Sequence, residues 1–304
     1  MLSQKARILL AFGIVGVLVL AGVAYYVGNA PVPSSGTLNV VASFYPYYYF
    51  ATRVGGSRAV VSNLLPAGVE PHDWEPTPSA IAQVHEADVF VFNGYVESYL
   101  ESLFAELPAD PPVRVNTSAG LPVRTTGNGQ VDPHVWLDPI LAGRIVDAIE
   151  AAFSAADPEG ASVYHANAQE VRAELAGTNA VYASGLRVCG LRTFVSQHEA
   201  FGYLAARYDL TMIAIQGLSP DAEPTPEQLA EIRDTINATG VQYIFYEELV
   251  DPRVAQTLAD ETGVATMVLS PVEGLTPDGA QAGDTYFSLF SQNLVNLRIA
   301  LECS

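Results

Sequence analysis

A chain of 304 residues is long enough for two core-bearing domains, and with 49% apolar and only 15% charged residues most of it should fold. Its 33 acidic against 14 basic residues give a formal net charge of −19. That excludes a nucleic-acid partner, which needs a basic footprint, and opposes docking on an anionic lipid surface; an acidic field attracts cations and keeps proteins soluble.

Lys5 and Arg7 precede an unbroken apolar run over residues 8–27, about the span of a bilayer. The positive flank predicts a cytoplasmic N-terminus with the rest outside. We read the run as an uncleaved anchor; cleavage after Ala24 or Ala30 as a signal peptide is the alternative, the second disfavoured by Pro31. A lipoprotein anchor requires a cysteine just after such a run, and none is there. Residues 29–36 read as a linker.

From residue 37 strand and helix signals alternate. Strands are predicted over 38–43, 59–65, 88–92 and 113–116, and helices from Pro46 to Gly55, over 78–85 with Thr77 as N-cap, and over 96–107. Asp138 and Pro139 repeat the cap-and-proline pair and open a helix to about Ala155. Residues 158–186 carry near-helical apolar spacing with no proline after the first position. They form one strut of about 40 Å, or two helices broken at Gly177. A second series follows: strands at 193–197, 211–215, 241–246 and 265–269, helices at 200–208, 226–238, 252–262 and 285–301. The fold class is therefore α/β, with two lobes, each a mostly parallel sheet flanked by helices, joined by one long backbone helix. The predicted boundaries are 1–36 (anchor or signal, and linker), 37–157 (first lobe), 158–187 (linking helix) and 188–304 (second lobe). Cys189 and Cys303 are the only cysteines. In an exported protein they suggest one disulfide, with two buried thiols as the alternative.

Three of the five histidines sit where a strand-like run breaks into a helix-like one: His72, His134 and His198. In open α/β sheets ligands bind beyond the carboxyl ends of the strands. His72 and His134 belong to the first lobe and His198 to the second, so a shared site would lie between lobes. Neutral imidazole is a common metal ligand. A tetrahedral ion wants a fourth donor, and the candidate is Asp284 at the start of the last helix, which is otherwise a plain N-cap. Trp74 and Trp136, each two residues beyond a histidine, wall the site or belong to the core. His85 and His165 read as ordinary surface or packing histidines. The His-Glu-x-x-His signature of zinc hydrolases is absent, as are a nucleophile elbow and a phosphate loop. A closed sphere of three histidines and one aspartate leaves no position for substrate, so no enzyme is expected.

Leu64-Leu65-Pro66-Ala67-Gly68-Val69-Glu70-Pro71-His72-Asp73-Trp74-Glu75-Pro76 resembles the first metal-ligand loop of the ZnuA/TroA-like solute-binding proteins of zinc and manganese ABC importers. Asp132-Pro133-His134-Val135-Trp136-Leu137-Asp138-Pro139 resembles their second, and Val195 to Leu204 their third. Gly283-Asp284-Thr285-Tyr286 is similar to the segment of the fourth ligand. Asn93-Gly94, Glu97, Tyr99 and Glu223-Pro224-Thr225 match further landmarks, and the likeness runs from about Leu38 to Leu301. It implies two lobes on one rigid helix, a buried divalent metal held by His72, His134, His198 and Asp284, and an ABC permease with its ATPase as partners. In such proteins a histidine at the third position goes with zinc, so Zn²⁺ is expected over Mn²⁺. The histidine-rich loop of many zinc members is missing from 124–130. The chain is expected to be a monomeric, extracytoplasmic, membrane-attached metal-binding protein. A three-histidine zinc hydrolase or hydratase, and a surface adhesin with structural metal, are the alternatives.

Overall fold

The computed structural model describes residues 36–107, 111–220 and 224–304. The apolar run at 8–27, and Glu223 among the landmarks, lie outside the described residues. Among the described residues no helix is long and apolar enough to cross a membrane.

Strands β1 (Leu38–Ala42), β2 (Ala59–Asn63), β3 (Val89–Phe92) and β4 (Val113–Asn116) form one sheet in the order β2-β1-β3-β4, parallel throughout. The central strands are short β-branched and aromatic runs. In β3 every residue is buried, as expected of a strand covered on both faces. Val40, Ala42, Val89 and Val91 look toward the main core, and Val41, Phe90 and Phe92 toward a second cluster with Leu64, Val84 and Leu103. This is the period-2 alternation of a strand used on both sides.

Helix α1 (Tyr45–Gly55) follows β1, α2 (Pro78–His85) lies between β2 and β3, and α3 (Leu100–Ala105) follows β3. The sequence pattern predicts α3 from residue 96, but it starts four residues later. Buried Glu97 explains the delay: its oxygens accept from the amides of Asn93 (2.8 Å) and Gly94 (2.9 Å), so these residues are satisfied as a turn.

Beyond β4 comes a small antiparallel hairpin, β5 (Arg124–Thr125) and β6 (Val131–Asp132). Helix α4 (Pro139–Ala156) starts at Asp138, whose carboxylate accepts from Ile140 N (2.8 Å) and Leu141 N (3.4 Å). Helix α5 (Ala161–Gly185) is a single helix of 25 residues, unbroken at Gly177, about 37 Å long. Tyr164, Ala168, Val171, Leu175 and Tyr182 form its buried stripe. At one end the Tyr164 hydroxyl and Arg58 meet Asp157; at the other the Tyr182 hydroxyl donates to Phe290 O at 2.6 Å.

The second sheet holds β7 (Thr193–Ser196), β8 (Thr211–Ala214), β9 (Tyr243–Tyr246) and β10 (Ala265–Val268) in the order β10-β9-β7-β8, again all parallel. This is the strand order of the first sheet: in each, the first strand sits between the second and the third. Helices α6 (Gly202–Arg207), α7 (Pro226–Thr239), α8 (Arg253–Thr262), α9 (Pro277–Ala282) and α10 (Tyr286–Ala300) complete this lobe. Cys189 and Cys303 form a disulfide.

Candidate metal centre

Each sheet changes direction next to its first strand, and chain crossing there opens a crevice at the carboxyl edge. In the second lobe His198 lies two residues past β7 and Glu247 directly follows β9. In the first lobe Asn93 directly follows β3, and its amide nitrogen donates to Tyr47 Oη (2.5 Å) and to Pro133 O (3.0 Å). That bond fixes the backbone beside His134.

The structure brings His72, His134 and His198 together with Glu273, one ligand atom from each lying within 4.8 Å of all the others. His134 Nε2 is 3.2 Å from His198 Nε2. Glu273 Oε1 is 3.1 Å from His134 Nε2, 3.4 Å from His72 Nε2 and 3.8 Å from His198 Nε2. A tetrahedral zinc ion with bonds of roughly 2.0–2.1 Å puts its donors about 3.3–3.4 Å apart. His134 and His198 are 0% exposed and Glu273 3%; His72 is the least enclosed of the four.

Two imidazoles are oriented from behind. His134 Nδ1 lies 2.9 Å from Asp132 Oδ1, which also accepts from the His134 amide at 3.0 Å. His198 Nδ1 lies 2.6 Å from Glu247 Oε1, which accepts from the His198 amide at 3.3 Å. Nδ1–H bonded to a carboxylate leaves the Nε2 lone pair facing the centre, the usual arrangement behind metal-bound histidine. His72 is steadied through its backbone: its amide donates to Glu70 Oε2 at 2.9 Å.

Glu273 and the imidazoles around it shift one another. Burial alone would raise the Glu273 carboxyl, but His134 and His72 on its oxygen outweigh this and hold it well below the usual carboxylate range. Burial would lower the His134 imidazole; Asp132 and Glu273 outweigh it and push it up to about 10. Burial, then the charge of Glu273, push Glu70 up to about 8.

Asp284, the fourth donor expected from the sequence, lies outside the group that the structure brings together. It lies in the joint between α9 and α10: its amide donates to Gly279 O at 2.9 Å, and its Oδ1 accepts from Ser288 Oγ at 3.4 Å. The α10 N-cap is its neighbour Thr285. The acidic member of the group is Glu273, in the loop after β10. The carboxyl-edge rule that singles out His198 applies equally to this loop.

That loop is held under strain. Val272 adopts φ 58° while fully buried, a costly conformation for a β-branched residue. Asn293 clamps Ser270 through Oδ1 to its amide (2.8 Å) and Nδ2 to its carbonyl (2.7 Å). Trp136 Nε1 donates to Pro271 O at 2.8 Å. Trp136 is therefore both core and wall: fully buried, with its ring 5.2 Å from that of His134. Trp74 packs on Tyr99 instead. His165 pairs with Glu150 on the strut's surface, and His85 closes α2; both lie outside the group.

Fold and centre define a two-lobed metal-binding protein of the solute-binding class. A family model described as "ZnuA: Zinc-uptake complex component A periplasmic" matches residues 40–300, and the chain belongs to this family, whose members are binding components of transport rather than enzymes. The chain is 36% identical over 280 residues to the zinc-binding lipoprotein AdcA of Streptococcus pneumoniae, covering 87% of this chain but only 56% of AdcA; it thus spans little more than half of that relative. To the high-affinity zinc uptake system protein ZnuA of Bacillus subtilis it is 36% identical over 279 residues, covering 87% of this chain and 88% of that one. Among solved structures, the Zn(II)-bound ZnuA-like domain of S. pneumoniae AdcA superposes with a TM-score of 0.78 at 37% identity, over 88% of this chain and 100% of that domain. The laminin-binding protein Lmb of Streptococcus agalactiae, described as a bifunctional protein with adhesin and metal transporting activity, superposes with a TM-score of 0.79 at 33% identity, over 87% of this chain and 99% of its own.

Proposed function

We propose that this protein captures Zn²⁺ outside the cytoplasm at His72, His134, His198 and Glu273 and delivers it to the permease of an ABC importer. The observation that carries this reading is the spacing of the four donor atoms, 3.1–3.8 Å along the edges given above, close to a zinc tetrahedron. Three imidazole nitrogens and one carboxylate oxygen suit zinc, whereas manganese prefers more oxygen ligands. The names of the relatives point to the same metal and to uptake. In this reading the domain limits are 157/158 and 187/188, with one sheet on either side of the strut. The run at 8–27 serves as the membrane anchor in this reading.

Metal analysis of protein purified without added metal, followed by competition of Zn²⁺ against Mn²⁺ in calorimetry, tests the proposal. Zinc should displace manganese. His134→Ala should weaken zinc by more than about a hundredfold, beyond the 10–100-fold typical of a residue that only orients a ligand. Unchanged zinc binding in that folded variant would overturn the site.

A further inference from the structure

A cavity of about 530 Å³ lies at the carboxyl edge of the second sheet under α7 and α8. Its lining includes Glu70, Gln216, Leu229, Asp251, Thr257 and Glu261. Glu70 is the residue whose Oε2 holds the His72 amide, and His72 is the least enclosed member of the metal group. Leu249 and Val250 line this cavity and also a second, water-sized one of about 10 Å³ that reaches Glu247 and Glu273. The two spaces meet on either side of one dipeptide, and the inner one touches a proposed ligand.

Unpartnered oxygens mark the same line. Among the described residues seven buried side-chain polar atoms have no hydrogen-bond partner, and three of them are Gln216 Oε1, Glu70 Oε1 and Glu247 Oε2. All three are acceptors. Buried polar atoms are rarely left unpaired, and each such case calls for an explanation. Gln216 and Glu70 line the outer cavity and Glu247 the inner one, oxygens that a passing hydrated cation would use. Charge at the mouth agrees: Arg253 is bonded to Asp251 (2.7 Å), and Glu261, with no cation of its own in the lining, leaves the mouth acidic, which draws cations inward.

We propose that this cavity is the vestibule by which Zn²⁺ enters and leaves the site, with Glu70 Oε1 as the oxygen that passes the ion to His72. The proposal rests on the zinc reading above. A residue that blocks the route without touching the bound ion changes both rates and leaves the equilibrium alone. Thr257 is exposed on α8, so Thr257→Trp fills the cavity without altering charge.

The test is stopped-flow exchange of Zn²⁺ between the full-length protein and a fluorescent chelator. In Thr257→Trp, association and dissociation should slow together by about tenfold, with Kd held within about twofold. Leu229→Trp, from the opposite wall, should do the same and serves if the first variant folds poorly. Ala280→Trp, in a separate cavity lined by Tyr45 and Glu273, should leave both rates unchanged. Normal rates in both vestibule variants, or slowing only in Ala280→Trp, would overturn the route while leaving zinc capture intact. Absence of zinc binding in the unmodified protein would instead sink the function itself.

Discussion

His134 Nε2 and His198 Nε2 stand 3.2 Å apart although they come from different lobes and lie 64 positions apart in the chain. Each ring is fixed by a carboxylate of its own lobe, Asp132 behind the first and Glu247 behind the second. The contact is thus set by how the lobes meet. Arg207 of α6 reinforces that meeting with a forked bond to Asp138, at 2.6–3.0 Å, and the Tyr203 hydroxyl donates to Asp132 O at 3.1 Å.

The identity of the fourth donor is directly testable. Glu273→Gln should weaken zinc by at least about tenfold, since it removes the one charged donor. Asp284→Asn should leave zinc affinity within about twofold, because its carboxylate serves the α9–α10 joint. Calorimetry on the pair decides, and the reverse pattern would restore Asp284.

Trp136→Phe keeps an aromatic ring in the core but removes the donor to Pro271 O. The strained turn at Val272 then loses one of its restraints. Zinc affinity should fall by about tenfold through a looser Glu273. The buried carbonyl left unpaired should cost about 1–3 kcal/mol in denaturant unfolding. Unchanged zinc affinity would show that Asn293 alone holds the turn.

Reduction of the disulfide, or Cys189→Ser with Cys303→Ser, should destabilise the protein. The bond closes a loop with a sequence separation of 114, for which the loop-entropy model gives roughly 4–5 kcal/mol less any strain. The check is a lower urea midpoint under reducing conditions. A midpoint shared by oxidised and reduced protein would contradict it.

The Asp157 network should make stability fall in acid. Burial would raise the Asp157 carboxyl, but Arg58 and the Tyr164 hydroxyl outweigh it and the folded value is lowered. A depressed carboxyl adds stability that is fully present above the ordinary aspartate range and is lost as pH falls through the folded value. Asp157→Asn should therefore lower stability at neutral pH and flatten the decline below about pH 4, read by denaturant unfolding across pH.

Much of this architecture is legible in the residues. Val40, Val41, Phe90 and Phe92 announce buried parallel strands, and the pairs Thr77-Pro78, Asp138-Pro139 and Thr225-Pro226 mark helix starts that the structure repeats. The β5–β6 hairpin and helix α9 are absent from the sequence reading, and the start of α3 is placed four residues early. The β5–β6 hairpin is two residues a side, too short and polar for a hydrophobic period. Helix α3 is delayed by side chain-to-backbone bonds that no periodicity encodes. At the site, three histidines stood out because the chain has only five. Glu273 is one of many acidic residues in a turn without pattern, and what singles it out, the clamping of Ser270 and Pro271 by Asn293 and Trp136, is tertiary.

The disulfide has a topological effect apart from its energy. Residues 189–303 include every strand of the second sheet, together with His198, Glu247 and Glu273. With Cys189 bonded to Cys303, that lobe is a closed covalent ring suspended from the end of α5. Fraying that begins at the last helix has no free end to spread from. Half of the proposed coordination sphere is thereby insulated from unravelling that the first lobe must resist by packing alone.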